Sequence, residues 1–233
     1  AIDACAEAGG GTVLLAEGSF VTGTLCLKSG VRLLIEKNAA LLGSQNHADY
    51  TTDTHHIMYL GESHMDRCLL FARDAQNISL EGHGVIDGRG DRDHFPGDPR
   101  PMLLRFLNCE HLTLRDLILR DPAAWTSAWL YGRDVLVENV TISSWANWNG
   151  DGLDFDGCER VSVRDCVFDT SDDAICLQAS KREYPCQDIT ASGCDFHSKW
   201  AGMRIGLLSY GDIRRLDVRD CKFRDIEDSG LKI

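Results

Sequence analysis

The 233-residue sequence lacks any apolar run long enough to cross a membrane, and it is poor in basic residues. A spanning helix needs about 18 or more consecutive apolar residues, so an integral helical membrane protein is excluded. Lysine and arginine number 24 against 36 aspartates and glutamates, for a net charge of −12. Such a chain repels phosphates, and we expect no nucleic-acid partner. An anionic sugar polymer remains compatible with this charge, because a basic cleft can lie in an acidic surface.

The ten cysteines lack the spacing of a metal site. No CxxC pair and no Cys/His ligand spacing occurs, which argues against zinc. Most of the cysteines recur at fixed places in a repeat, which favours buried free thiols over disulfides. A signal peptide is also missing from the sequence, which therefore neither indicates nor rejects export.

A repeat of 23 to 28 residues runs through the second half of the chain. Its first apolar column is Leu112, Val135, Val161, Ile189 and Leu216. Cysteine recurs five positions later, at Cys166, Cys194 and Cys221, and phenylalanine seven positions later, at Phe168, Phe196 and Phe223. The position four after the first column is aspartate, asparagine or glycine, which indicates a turn between two short strands.

This repeat predicts an all-β fold, a single-stranded parallel β-helix. One repeat cannot bury its apolar face alone, whereas stacked repeats can. Leucine-rich repeats are the main alternative, but their LxxLxLxxN signature is missing. The opening AIDACAEAGG (1–10) predicts a short helix that caps the first coil. We expect residues 1–233 to form one domain. Because the chain stops inside a strand, we also expect this domain to be a fragment that lacks its C-terminal coils.

Acidic residues gather at one position of the repeat. Asp151 and Asp173 occupy equivalent places in adjacent coils, and Asp172 precedes Asp173. Neighbouring parallel strands lie about 4.8 Å apart, so we expect these three carboxylates to converge. Like charges this close cannot all ionise, and at least one carboxyl should have a raised pKa. An acid beside a base is the requirement for cleaving a glycosidic bond.

Each acidic residue also has a simpler interpretation. Acid-rich turns are usually solvated rims, and we assign Asp154, Asp156, Glu159 and Asp165 to that class. For the stacked trio we favour a functional role, because adjacent like charges destabilise a sheet. A calcium site is a third interpretation of the same trio.

Residues suited to contacting a sugar lie near the trio in the repeat. The candidates are Trp200, His197, Arg204 and Lys232. Trp200 is the best aromatic platform, whereas Trp125 and Trp129 are assigned to packing. A lone histidine such as His197 is more often structural than catalytic.

Several short motifs resemble those of a known family. NGDGLDF (149–155) resembles N-T-D-G-x-D, SDDAIC (171–176) resembles G-D-D-C-I, and GLKI (230–233) resembles the start of R-I-K. Together with GVIDGRG (84–90) they resemble glycoside hydrolase family 28, the polygalacturonase-like right-handed parallel β-helices. The resemblance implies hydrolysis that inverts the anomeric centre and needs no metal or other cofactor.

The resemblance also assigns roles. Asp172 would be the general acid, Asp151 and Asp173 would position and activate water, and Asn149 would contact the substrate. A polysaccharide or oligosaccharide substrate of the pectic or uronate-containing kind is implied, as is a secreted or periplasmic location.

Three departures from the family pattern affect the expected substrate. The family's G-H-G is WAG (200–202) here, so Ala201 replaces the histidine. Lys232 replaces the arginine of R-I-K, and Arg204 takes a place often held by serine. We therefore expect retained hydrolysis but weak activity on plain polygalacturonate, with better activity on another uronate-containing glycan.

Two alternatives of other classes stay open. A polysaccharide lyase on the same fold would hold Ca²⁺ on the acids and use a basic residue such as Arg204 to abstract a proton. A non-catalytic glycan-binding or structural β-helix is favoured if Ala201 means an inactive site. The fold does not decide among the three, because β-helices host all of them. The oligomeric state is not readable from the sequence.

Overall fold

The computed structural model describes residues 1–54 and 66–233, and these residues form the stacked coils of a parallel β-helix. Each complete coil contributes one short strand to each of three faces, here called A, B and C. Faces A and B form one 14-stranded sheet, and face C is a separate 8-stranded sheet. Among the described residues, no helix is both long and apolar enough to span a bilayer.

The strands are numbered in chain order. Two long strands at the N-terminal end serve both A and B: β1 (Gly11–Thr22) and β3 (Val31–Gly43). Face A otherwise contains β5 (Gln76–Gly82), β8 (Glu110–Arg115), β11 (Arg133–Glu138), β14 (Glu159–Arg164), β17 (Cys186–Ser192) and β20 (Ile213–Arg219). Face B contains β6 (Val85–Asp87), β9 (Ile118–Arg120), β12 (Thr141–Ser144), β15 (Val167–Thr170), β18 (Asp195–Ser198) and β21 (Lys222–Phe223). Face C contains β2 (Leu25–Cys26), β4 (Cys68–Arg73), β7 (Met102–Leu107), β10 (Ser127–Leu130), β13 (Leu153–Asp156), β16 (Ile175–Ala179), β19 (Ala201–Ser209) and β22 (Ser229–Lys232).

The predicted apolar columns are confirmed by the strand register. On face A, Val135 pairs with Leu112 on one side and Val161 on the other, and the column continues through Ile189 to Leu216. On face B, the ring of Phe196 lies parallel to the rings of its two neighbours in the column, with centroids 4.9 and 4.8 Å apart. The all-β prediction is therefore correct, and the core runs along the axis of the coils.

The turn between faces A and B adopts the backbone that its residues favour. Asp116, Asn139, Asp165, Gly193 and Asp220 all have φ between 51° and 65°, the left-handed region that aspartate, asparagine and glycine tolerate. The Asn139 side chain also donates a hydrogen bond of 2.7 Å to Asp116 Oδ1 in the preceding coil. The polar turn position thus carries a side-chain ladder between coils.

The predictions for the cysteines and the N-terminus are also confirmed. All ten cysteines are free, and seven of them are buried. Helix α1 (Ile2–Glu7) precedes Gly9 and Gly10, which have φ of 95° and 99°, and Ile2 packs against the core of the first coils. One turn of 3₁₀ helix, His47–Asp49, lies in the connection that follows β3.

Candidate active site

The turns that lead from face B to face C bring the three candidate acids together. Asp151, Asp172 and Asp173 each contribute a carboxylate oxygen, and these three oxygens lie within 4.8 Å of one another. The backbone N–H of Gly152 donates to the Asp173 carbonyl over 2.9 Å, which fixes the register of the two adjacent coils. The predicted stacking of these acids therefore follows directly from the parallel register.

Asp151 is the most isolated member of the trio. Its side chain is buried, and its Oδ1 has no hydrogen-bond partner among the described residues. Burial raises the pKa of Asp151 well above its ordinary value, and the neighbouring charges of Asp154, Asp172 and Asp173 raise it further. The carboxyl of Asp151 is therefore harder to ionise than that of an ordinary aspartate.

Asp173 is buried but has partners for both oxygens. Its Oδ1 accepts a hydrogen bond of 3.2 Å from the backbone N–H of Ala201, and its Oδ2 lies 3.2 Å from Arg204 Nη1. Burial raises the pKa of Asp173, and the guanidinium of Arg204 opposes that rise. Among the described residues, Arg204 makes the one ion pair to the trio.

Asp172 is the most accessible of the three, since it is half-buried. Its Oδ1 accepts from the backbone N–H of Asp173 over 3.0 Å, and its Oδ2 lies 3.4 Å from Asn149 Nδ2. Burial raises the pKa of Asp172, against the lowering effect of these two hydrogen bonds and of the charges on Arg204 and Lys199. A protonated Asp172 can therefore face a ligand from the edge of the trio.

The prediction that the acidic residues around the trio form a solvated rim needs a correction. Asp154 and Asp156 are buried, at 2% and 0% exposure, so the prediction that they form a solvated rim is wrong. They point away from the core, as strand alternation requires, yet both side chains are enclosed. Asp156 accepts hydrogen bonds from the backbone N–H and the hydroxyl of Ser180. Asp165 is exposed and Glu159 is half-buried, so only Asp165 matches the solvated description fully.

Trp200 and Lys232 lie together at the next coils. Trp200 is 44% exposed, and Lys232 Nζ lies 4.8 Å from the centroid of its indole ring. The same ammonium pairs with Asp228 Oδ2 at 2.7 Å. The positive charge of Lys232 is therefore engaged by Asp228, and a ligand carboxylate would have to compete for it.

His197 belongs to a different cluster. Its Nδ1 lies 2.7 Å from Asp169 Oδ1, which also accepts a 2.6 Å hydrogen bond from Trp145 Nε1. The imidazole and the Trp145 indole are stacked, with centroids 6.0 Å apart. No hydrogen bond or ion pair described for His197 reaches the acid trio. Trp125 and Trp129 are buried, as predicted for packing residues.

A family model described as glycosyl hydrolases family 28 matches residues 18–233. The chain belongs to this family. The motifs that resembled it in the sequence are the ones that hold the acid trio in the structure.

Two curated relatives are similar to most of this chain. A probable polygalacturonase from Vitis vinifera is 25% identical over 192 residues, and an exo-poly-alpha-D-galacturonosidase from Dickeya chrysanthemi is 28% identical over 228 residues. These matches cover 76% and 75% of this chain, but 38% and 37% of those two proteins. The chain thus spans less than two fifths of the length of these curated relatives.

A solved structure has the same architecture. The crystal structure of a hyperthermoactive exopolygalacturonase from Thermotoga maritima matches with a TM-score of 0.86 at 21% identity, covering 99% of this chain and 63% of that chain. At this level of identity the match shows the fold alone. It confirms the right-handed parallel β-helix that the motifs implied.

The family 28 departures have distinct structural consequences. Ala201 is fully buried, and its backbone N–H still holds Asp173. Arg204 supplies the charge next to Asp173. The histidine that the family motif predicts at position 201 would bring a hydrogen-bonding side chain, whereas Ala201 reaches the acids through its backbone N–H alone.

The trio is a candidate cation cluster that would need further oxygen ligands to hold calcium. Ca²⁺ takes about six to eight oxygen ligands, and the trio offers three carboxylates within reach of one another. The guanidinium of Arg204 next to Asp173 also opposes a second cation at that oxygen. A calcium-dependent lyase therefore has less support from this geometry than hydrolysis has.

One buried side chain of the site was missed by the sequence reasoning. Arg100 is 1% exposed and donates to Asn149 Oδ1 over 2.9 Å. The sequence signal was a single cation between two prolines, in PRP (99–101), at the end of a glycine- and proline-containing loop. Nothing in the repeat connects that loop with Asn149, which lies 49 residues further on.

Proposed function

We propose that this chain carries the active site of a glycoside hydrolase that cleaves a pectic or other uronate-containing polysaccharide or its oligosaccharides. The observation that carries the proposal is the trio of Asp151, Asp172 and Asp173, with oxygens within 4.8 Å of one another and every pKa raised. Carboxyl groups that lie close together and have shifted pKa values are typical of catalytic sites. Membership of family 28 and similarity to polygalacturonases support the same conclusion.

Asp172 is proposed as the general acid. It is the accessible member of the trio, and burial raises its pKa, which favours the protonated form that a general acid requires. In the reaction this proton moves to the glycosidic oxygen as the bond from that oxygen to the anomeric carbon breaks. A water oxygen forms the new bond to the same carbon, and the leaving sugar departs with a neutral hydroxyl.

Asp173 and Asp151 are proposed to hold and activate this water. Arg204 and the Ala201 N–H stabilise the anionic form of Asp173, which can then accept the proton that the water loses. The Oδ1 of Asp151 has no partner among the described residues but is shielded from solvent, so Asp151 is proposed to orient the water through its other oxygen. Asp173 then releases its proton to solvent and Asp172 takes one up from solvent, which completes the cycle without a metal or another cofactor.

The stereochemistry is the sharpest test of this mechanism. Inverting enzymes usually separate their two carboxyl groups by about 6.5–9.5 Å, and retaining enzymes by about 5–5.5 Å. The nearest oxygens of the trio lie within 4.8 Å, so the general rule favours retention, whereas the family resemblance implies inversion. We propose inversion, because Asp151 and Asp173 are two carboxylates that share one water rather than one nucleophile. The anomeric configuration of the first product decides between the two.

The substrate is proposed to differ from plain polygalacturonate. Ala201 offers a sugar no side-chain hydrogen bond, whereas the exposed indole of Trp200 beside it suits the C–H face of a sugar ring. Lys232 is engaged by Asp228, which leaves Arg204 as the nearest cation to the acids. Fewer free cations suit a substrate with fewer carboxylates, such as a branched or partly neutral pectic fragment.

The experiment is a screen of pectic oligosaccharides with products identified by mass and by anomeric configuration. Hydrolysis adds one water to each cleaved bond, and we expect such products for at least one branched fragment. Products that absorb in the ultraviolet and disappear with a chelator would identify the lyase instead. Binding without turnover across the panel would support the non-catalytic alternative and overturn the proposal.

The domain organisation, the location and the partners of the protein are also proposals. We propose that residues 1–233 belong to one β-helix domain and that the protein acts where pectic polymers occur, in a secreted or periplasmic location. We propose no nucleic-acid or membrane partner. Fractionation of the native source, with activity measured in each fraction, tests the location.

A further inference from the structure

The side chain of Arg100 is buried and makes four directed contacts. Its Nε donates to Asp98 Oδ1 over 2.8 Å, and its Nη1 donates to the Ala123 and Trp148 carbonyls over 3.0 and 2.6 Å. Its Nη2 donates to Asn149 Oδ1 over 2.9 Å. The guanidinium carbon also lies 4.4 Å from the centroid of the Trp148 indole. This set of contacts uses the planar fork of arginine, which a lysine cannot reproduce.

The contact with Asn149 determines which way its amide points. Arginine carries donors and no acceptor, so the group that faces it must be the amide oxygen. The amide N–H groups of Asn149 are thereby turned to the other side, where Nδ2 lies 3.4 Å from Asp172 Oδ2. A flipped amide would set two donors against each other at Arg100 and two oxygens against each other at Asp172.

We infer that Arg100 is a positioning residue of the active site: it fixes the Asn149 amide and, through it, the carboxyl of Asp172. The inference rests on the proposed function and adds to it a residue that contacts neither the acids nor the substrate. The side chain of Asn149 is exposed at the site, and its one other described partner is Asp172 itself, at the longer distance of 3.4 Å, so Arg100 makes the shorter contact that holds its orientation.

Holding the loop in place does not depend on Arg100 alone. Asn147 Nδ2 donates to the carbonyls of Gly90 and Phe95, both over 3.0 Å, and so ties the same loop to the same turn. The side chain of Asn147 is buried, at 2% exposure. We therefore expect Arg100→Lys to fold, and we expect the change to alter the orientation of the Asn149 side chain.

The pKa of Asp172 reports on this contact. Four charged groups face its carboxyl: Asp151, Asp173, Arg204 and Lys199. The hydrogen bond from Asn149 adds a lowering effect, which depends on the orientation of the amide. Loss of that orientation removes the lowering effect, so the pKa of Asp172 rises.

The experiment compares wild type, Arg100→Lys, Asn149→Ala and the double variant of the full chain. The first readout is the Asp172 carboxyl titration by ¹³C NMR, which needs no substrate. We expect both single variants to raise the pKa of Asp172, and the double variant to add nothing to Asn149→Ala. Shifts that add, or an unchanged pKa in Arg100→Lys, would overturn the inference.

The second readout is turnover on a pectic fragment that the wild type cleaves. We expect kcat of Arg100→Lys to fall roughly 10- to 100-fold with KM nearly unchanged, and the basic limb of its pH profile to move to higher pH. Arg120→Lys is the matched control, since Arg120 pairs with Asp87 at 2.8 Å and contacts neither Asn149 nor the acids. Its kcat and pH profile should match those of the wild type.

The two readouts separate the possible failures. If Asp172 titrates as expected but the chain shows no turnover, the proposed function is wrong, and the inference that Arg100 positions the Asp172 carboxyl stands. Should Arg100→Lys not fold, the Asn149 side-chain amide of the wild type gives the answer. We expect the Asn149 side-chain N–H resonances to shift as Asp172 titrates, and resonances that do not respond to that titration would refute the inference.

Discussion

Asp172 is the residue on which the proposed chemistry depends most directly. Its replacement by asparagine keeps the size and hydrogen bonding of the side chain but removes the proton that the proposed general acid donates. We expect Asp172→Asn to lower kcat by about 10²–10⁴-fold, the usual contribution of general acid catalysis, with ligand affinity nearly intact. Rates on a substrate with a poor leaving group, together with calorimetric binding, measure the two effects separately. Asp165→Asn, at an exposed turn, is the control.

Asp151 illustrates how burying a carboxyl beside other carboxyls makes the stability of the fold depend on pH. Its folded pKa is raised by burial and by Asp154, Asp172 and Asp173, so the folded state binds more protons than the unfolded state above pH of about 4. The stability contributed by its protonated form is complete below the unfolded pKa and is lost as pH rises through the folded pKa. We expect Asp151→Asn to raise the melting temperature at pH 7, and to raise it less at pH 4. An equal change at both pH values would contradict this account.

At the scale of the element, the phenylalanine stack of face B carries much of the stability near the site. Phe196 is fully buried between Phe168 and Phe223, and it lies one residue before His197. We expect Phe196→Ala to lower the free energy of unfolding by about 3–5 kcal/mol, through lost contacts and the cavity left behind. Urea denaturation followed by circular dichroism measures it. Val167→Ala, at 47% exposure on the same face, should change it little.

The elements could be predicted from the sequence where the signal is local or repeated. The apolar columns and the meeting of Asp151 with Asp173 follow from the register alone. The burial of Asp154 and Asp156 could not be predicted, because alternation tells which side of a strand a residue faces but not what covers that side. Arg100 could not be linked to Asn149, because their contact depends on how a loop folds over the turns.

At the scale of the whole molecule, the prediction concerns substrate choice. A chain with Ala201 at the acids and an exposed Trp200 should have a higher kcat/KM on a branched pectic fragment than on unbranched polygalacturonate. Trp200→Ala should reduce this preference, because it removes the apolar surface and leaves Arg204 in place. The comparison needs both substrates measured at equal ionic strength, since the net charge of −12 acts on an anionic polymer. A preference of the wild type for polygalacturonate would contradict the assignment.

The stacking of coils has a consequence for how the chain reaches its native state. Each strand of the repeat pairs with strands 23 to 28 residues away, so its partners are separated by only about 0.1 of the chain length, well below the separation typical of β-sandwiches. Loop-closure entropy for each new coil is therefore modest, and it is similar for every coil of this repeat, from Leu112 to Leu216. A nascent chain can add one coil at a time onto a finished edge, as in a one-dimensional polymerisation in which the product of each step is the template for the next.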